Sequence, residues 1–129
     1  MLAVDTNVVV RYLTNDDTAQ AARARRLFTH NDIFVPLTVL LETEWVLRSV
    51  FGFEAADLVP ALRRLAGLPR ITIESPETAS TALDWAEHGF DFADALHLAA
   101  AVAHDGFVSF DKALARNARR VGAPSVREP

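Results

Sequence analysis

The first seven residues, Met1-Leu2-Ala3-Val4-Asp5-Thr6-Asn7, decide how the rest of the chain is read. Apolar residues run straight into an aspartate, and a second apolar run follows. A short buried strand ending on an acid sets that carboxylate at the edge of a sheet. In open α/β sheets, the edge formed by the strand C-termini is where ligands bind. Aspartate before an apolar run is also a favoured helix N-cap, so Asp5 alone supports either role. What separates the two is whether other acids fall where the folded chain brings them to the same edge.

Outward from that stretch, short β-branched or aromatic runs alternate with helical periodicity. Val8 to Leu13 reads as a short helix, broken by Asn15, Asp16 and Asp17. Thr18 caps a helix through about His30, with Ala21, Ala24, Leu27 and Phe28 on its apolar face. Ile33 to Val35 is a second strand. Helices are expected over Thr38 to Val50 and about Ala55 to Ala66, the latter closed by Gly67. Ile71 to Ile73 is a third strand, and Pro76 opens a helix through about His88. An alanine-rich helix is expected over Phe92 to His104, then a strand over Phe107 to Phe110. Lys112 to Arg120 forms the last helix, and Pro124 to Val126 a fifth, edge strand. Strands alternating with helices of this length imply parallel pairing through crossovers. The expected fold is a three-layer α/β/α sandwich with a central parallel sheet of four to five short strands.

With 129 residues, no repeat and no linker composition, a single domain over 1–129 is expected. Half the residues are hydrophobic and 23% are charged, an ordinary balance for a globular protein. There is no cysteine, which excludes disulfides and thiolate metal sites. The N-terminus lacks a basic region and meets Asp5 early, unlike a secretory signal. No apolar run approaches a membrane span, so a cytoplasmic protein without membrane partners is expected. A net charge of −4 argues against a simple electrostatic nucleic-acid coat. Twelve of the thirteen basic residues are nonetheless arginine, Lys112 being the exception. Arginine forks suit phosphate, although genome composition is the stronger explanation of such a bias.

Four acids fall at informative places. Asp5 ends the first strand, and Glu42 lies early in the third helix. Asp94 is near the start of the alanine-rich helix, and Asp111 follows the fourth strand in Phe107-Val-Ser-Phe-Asp111. Each comes just after a strand's C-terminal end or from the first turns of a helix, and in a parallel sheet those ends share one edge. Clustered carboxylates raise one another's pKa and are tolerated when a cation neutralises them. Oxygen ligands without cysteine or a histidine pair point to Mg²⁺, with Mn²⁺ as an alternative, rather than Zn²⁺. Such ions support phosphodiester hydrolysis. Each acid also has a structural reading. Glu42 could be a solvated helix residue, but it shares a face with Trp45 and Val46, whereas Glu44 is assigned to solvent. Asp94 suits the helix dipole, with Asp91 the better N-cap, and Asp111 can cap the final helix. His97, one turn after Asp94, is more often a packed core residue than one that orders water or touches substrate. His30, His88 and His104 fall at helix ends, and Trp45 and Trp85 read as core or interface residues.

With these residues in place the chain resembles the PIN-domain family, and within it the VapC-type ribonuclease toxins of type II toxin–antitoxin pairs. The resemblance is carried by VDTNVVVRYL (4–13), VPLTVLLETEWVLR (35–48), GFDFADALHLAAA (89–101) and FVSFDKAL (107–114), in order and without large insertions. It implies that Asp5 and Asp94 are the principal metal ligands, joined by Glu42 and Asp111. It implies further that Thr6 and Asn7 support Asp5, that Ser109 is the hydroxyl near the fourth acid, and that Asp91 is a candidate auxiliary acid. Arg11, Arg116 and Arg119 are the corresponding candidates for RNA contacts. The resemblance implies a Mg²⁺-dependent endoribonuclease acting on structured RNA (tRNA or rRNA). It also implies a homodimer silenced by a cognate VapB-type antitoxin, which offers an arginine to the carboxylates.

Two rival functions use similar features. Aspartate-dependent Mg²⁺ phosphatases and phosphotransferases also place an acid after the first strand, but need a second aspartate two residues on, where Asn7 stands. A non-catalytic binding module with a PIN-like fold would bind no divalent cation.

Overall fold

The computed structural model describes residues 1–129. The chain divides into two compact units, Met1–Pro76 and Glu77–Pro129.

The first unit is built on the run Ile33-Phe34-Val35, which forms β2 between β1 (Leu2–Ala3) and β3 (Ile71–Ile73). Both pairings are parallel, with Ile33 opposite Leu2 on one side and Ile71 on the other. Alternation turns Ile33 and Val35 to one face, and both are fully buried. β1 is the edge strand of this sheet and departs from the expected buried strand: Leu2 is 47% exposed, and burial begins only at Val4.

Between these strands run α1 (Thr6–Thr14), α2 (Thr18–His30), α3 (Leu37–Ser49) and α4 (Ala55–Ala66). The first helix starts two residues before the expected Val8, because the Asp5 carboxylate accepts the Thr6 N–H at 2.7 Å and caps it. Asn15 ends it in a left-handed conformation. Asp17, not Thr18, caps α2 by accepting the Gln20 N–H. Tyr12 of α1 stacks on Phe28 of α2 with ring centroids 4.5 Å apart. Pro36 cannot cap α3 with a side chain, and a carboxylate oxygen of Glu74, just beyond β3, accepts the Leu37 N–H instead. The start of α3 is thereby fixed to the end of the neighbouring strand. Leu40 and Leu47 of α3, with Leu62 and Leu65 of α4, carry the helical contribution to the core.

The second unit holds α5 (Pro76–Glu87), α6 (Phe92–Ala99), β4 (Phe107–Val108), α7 (Lys112–Val121) and β5 (Val126–Arg127). β4 and β5 pair in parallel, Phe107 opposite Val126 and Val108 opposite Arg127. Gly122, at φ 72°, takes the left-handed position that ends α7, and its N–H reaches the Ala118 and Arg119 carbonyls. Arg120 donates to the His88 carbonyl and so ties the end of α7 to the end of α5. His30 and His88 each hydrogen-bond a carbonyl four residues back, as expected of histidines in a last turn. His104 does not, because α6 ends earlier than expected, at Ala99. From there the bonds of Ala101 to Leu98 and of His104 to Ala101 span three residues. Alanine favours a helix, but residues 102–104 are exposed, Val102 to 59%, and no buried face rewards another turn.

The fold class is therefore mixed α/β with seven helices and five parallel strands, as the alternation of patterns requires. The hydrogen-bonded ladders comprise a set of three strands and a set of two rather than one continuous sheet. β1 and β4 are two residues each, and each directs its ladder hydrogen bonds to a single neighbour.

Candidate functional site

In the first unit, a single residue links two of the predicted acids. Asp5 and Thr6 stand where β1 passes into α1. The Thr6 N–H donates to Asp5, while the Thr6 hydroxyl donates to Oε1 of Glu42 at 2.5 Å. Thr6 is buried and both acids are exposed. The threonine thus orients a carboxylate on α1's cap and another on α3 at the C-terminal ends of β1 and β2. Its predicted partner was Asp5 alone. Asn7 makes no hydrogen bond to Asp5 and instead lines a cavity of about 570 Å³ between α1 and α2, with Val8, Arg11, Gln20, Arg23, Ala24 and Leu27.

Burial separates Glu42 from Glu44, and one expectation is corrected. Glu44 is not a solvent residue: it is 5% exposed and pairs with Arg48 at 3.1 Å. The helical period places it between Leu40 and Leu47, both buried in the core. Glu42 shares its face with Trp45, which is 54% exposed. Trp45, expected in the core or at an interface, lies outside the core and marks the open face. Glu44 holds a structural ion pair, and Glu42 is the acid accessible to a ligand.

Arg11 is bound up within its own unit, donating to Asp16 at 3.0 Å and to Gln20 at 2.7 Å. The Thr14 hydroxyl above all, with Arg11 working against a desolvation penalty, holds the Asp16 carboxyl below its ordinary value.

In the second unit, Asp91 caps α6 by accepting the Asp94 N–H at 3.1 Å. Asp94 is thereby left without a capping role. Its carboxyl is pushed above the ordinary aspartate value by partial burial first, then by the negative charges of Asp91 and Asp111, with His97 pulling the other way. Asp91 thus contributes both a cap and a charge. His97 is exposed, which overturns its reading as a core histidine. Asp111 caps α7 by accepting the Leu114 N–H, and its own N–H donates to the Ser109 hydroxyl at 3.0 Å. Ser109 sits where the expected supporting hydroxyl was placed, acting on the Asp111 main chain.

No three histidine, aspartate or glutamate side chains stand close enough together to hold a metal ion as they are. The chemistry of the donors nevertheless suits a hard divalent cation. All are carboxylates, those of Asp5, Glu42 and Asp111 held by a hydroxyl or a main-chain N–H, and the like-charge crowding at Asp94 is what a bound cation relieves.

Parallel strands with Asp5 and Asp111 capping the helices that follow β1 and β4 place the chain in the class of α/β proteins that bind ligands at strand C-termini. Comparison with known families narrows the class: the PIN domain model matches residues 2–120, and the chain belongs to the PIN domain family. PIN domains are three-layer α/β/α folds and generally metal-dependent nucleases that act on nucleic acids. Among curated proteins, none matches the chain. Sequence reasoning missed the Thr6–Glu42 link, which joins residues 36 positions apart. It also missed Phe110, an aromatic 80% exposed between Ser109 and Asp111.

Proposed function

We propose that this chain is a Mg²⁺-dependent endoribonuclease and the toxin of a type II toxin–antitoxin pair, of the VapC type. On this reading residues 1–129 act as one domain, a view supported by a family match that runs through both units. The observation that carries the proposal is the state of Asp94. In a PIN chain, this carboxyl is relieved of capping by Asp91, partly buried, and crowded by Asp91 and Asp111. Such a group gains most from a cation.

Asp5 and Asp94 are the proposed principal ligands, with Glu42 and Asp111 completing the acidic set. Mn²⁺ would serve in place of Mg²⁺, since both take oxygen ligands. When bound, the ion supplies a lowered pKa for water and neutralises charge developing on the leaving oxygen. The protein's own part is positioning. Thr6 holds Glu42 and Asp5 in register, Ser109 fixes the turn that presents Asp111, and Asp91 keeps the Asp94 N–H satisfied. Arg116 and Arg119, exposed on α7, hold the phosphodiester. Arg11 is less suited, being paired with Asp16.

The substrate class is structured RNA, tRNA or rRNA, and the products carry 5′-phosphate and 3′-hydroxyl ends. The partners are a second copy of the chain and a cognate antitoxin that places an arginine on the carboxylates, where charge-assisted bidentate bonds favour it. No helix is long and apolar enough to cross a membrane, and a ribonuclease toxin of this kind acts in the cytoplasm.

The test is Asp5→Asn in purified protein at millimolar Mg²⁺. RNA cleavage should fall by roughly 100-fold or more with the circular dichroism spectrum unchanged. A folded variant cutting at the wild-type rate would sink the site assignment.

A further inference from the structure

Six of the twelve arginines are held within the protein by an ion pair or hydrogen bond: Arg11, Arg25, Arg48, Arg63, Arg70 and Arg120. Three of the unpartnered ones gather in one place. A groove of about 320 Å³ between α7 and β5 is lined by Arg116, Arg119 and Arg127, together with Lys112. Lys112, Arg116 and Arg119 follow one another at four and three residues, so they share a face of α7. Arg127 comes from β5, where its carbonyl accepts the Ser109 N–H at 3.0 Å. That bond fixes Arg127 two residues from Asp111, which borders the same groove. Four cationic side chains face two acids there, Asp111 and Glu128, in a chain whose net charge is −4. Glu128 reaches only Lys112, at 4.0 Å.

Beside this groove stands Phe110. The Asp111 N–H to Ser109 hydroxyl bond closes a turn around it, and its ring is 80% exposed. Apolar burial is the main driving force of folding, and this ring takes no part in it. Unpaired guanidiniums suit backbone phosphates, and an exposed ring suits the face of an unstacked base. The two needs meet in a single-stranded nucleic acid, since bases in a duplex are already stacked.

We propose that the α7–β5 groove tracks the backbone of a single-stranded RNA segment through Arg116, Arg119, Arg127 and Lys112, and that Phe110 stacks on a base next to the phosphate presented to Asp111. The inference rests on the ribonuclease reading for the identity of the nucleic acid. It adds to that reading which surface carries the strand and which residue stacks on its base.

The experiment measures fluorescence anisotropy of a labelled, unstructured 12-nucleotide RNA with the full chain in EDTA, against the same RNA annealed to its complement. Arg116→Gln, Arg119→Gln and Arg127→Gln combined should weaken single-strand binding. They should also flatten its dependence on log salt by about 2, at roughly 0.7 for each phosphate no longer neutralised. Phe110→Ala should weaken binding roughly 5- to 150-fold with the salt slope unchanged, and Phe110→Trp should restore it. Equal affinity for duplex, or indifference to Phe110→Ala, overturns the stacking role. A shift in sedimentation with Phe110→Ala and no change in RNA affinity overturns it too, assigning the surface to a protein partner. Mg²⁺-dependent cleavage by the wild type is measured in parallel. Cleavage with binding indifferent to all four substitutions overturns the groove and leaves the nuclease. Binding through the groove without cleavage overturns the nuclease and leaves a single-strand RNA site.

Discussion

Asp94 illustrates how a carboxylate can be partly buried and crowded at a cost to the fold. Its pKa is raised above 3.8 in the folded protein, so the folded state binds that proton more tightly than the unfolded chain does. Its contribution to stability is therefore fully present below the unfolded value and is lost as the pH rises through the folded one. At neutral pH in EDTA, Asp94→Asn should raise Tm by about 1–3 °C, a small effect because the carboxyl is largely solvated. The gain should vanish below pH 3.8, where the aspartate is neutral in both states. A variant no more stable than wild type at pH 7, as read by thermal melts across pH, would show that the site is not strained. Asp94's place after a capping aspartate was legible from the FDFAD run (90–94). The charges that crowd it were not, since Asp111 is distant in sequence.

At the scale of the element, α3 separates a buried, ion-paired acid from an exposed one within one turn. Glu44 points between Leu40 and Leu47 and is neutralised by Arg48, whereas Glu42 is held by Thr6 on the open face. Glu44→Ala should destabilise the protein by about 1.5–3 kcal/mol, the range for hydrogen bonds to charged groups. Glu42→Ala should cost under about 1 kcal/mol yet remove most Mg²⁺-dependent cleavage. Urea melts and RNA cleavage on both variants check the division, and the opposite pattern would exchange the two roles. The helix itself was evident from its periodicity, which fixes spacing. Which arc faces inward depends on what packs against it, and Trp45, apolar by type, stands on the outward arc. The end of α6 failed to follow composition for a similar reason, because alanine propensity continues past Ala99 while burial does not.

For the whole molecule, the proposed single domain and its proposed cation make a joint thermodynamic statement. Calorimetry should show one unfolding transition. With Mg²⁺ at roughly ten times its Kd, linkage adds about 1.4 kcal/mol, or on the order of 5 °C in Tm. Asp5→Asn should lose that shift. Two separate transitions would mean that Met1–Pro76 and Glu77–Pro129 unfold as independent domains. A Mg²⁺-insensitive Tm would favour a non-catalytic binding module.

The sequence by itself determined the alternation of elements. The ranges of β2, β3 and α4, the parallel pairing, and the acids at element ends all follow from local periodicity, capping and turn chemistry, which act over a few residues. Only the tertiary structure decided that β1 is exposed and that Glu44 is buried. It alone tied Glu42 to Thr6 and left three arginines unpaired beside an exposed Phe110. Those outcomes depend on which face of an element meets another, a quantity set by packing between residues far apart in the chain.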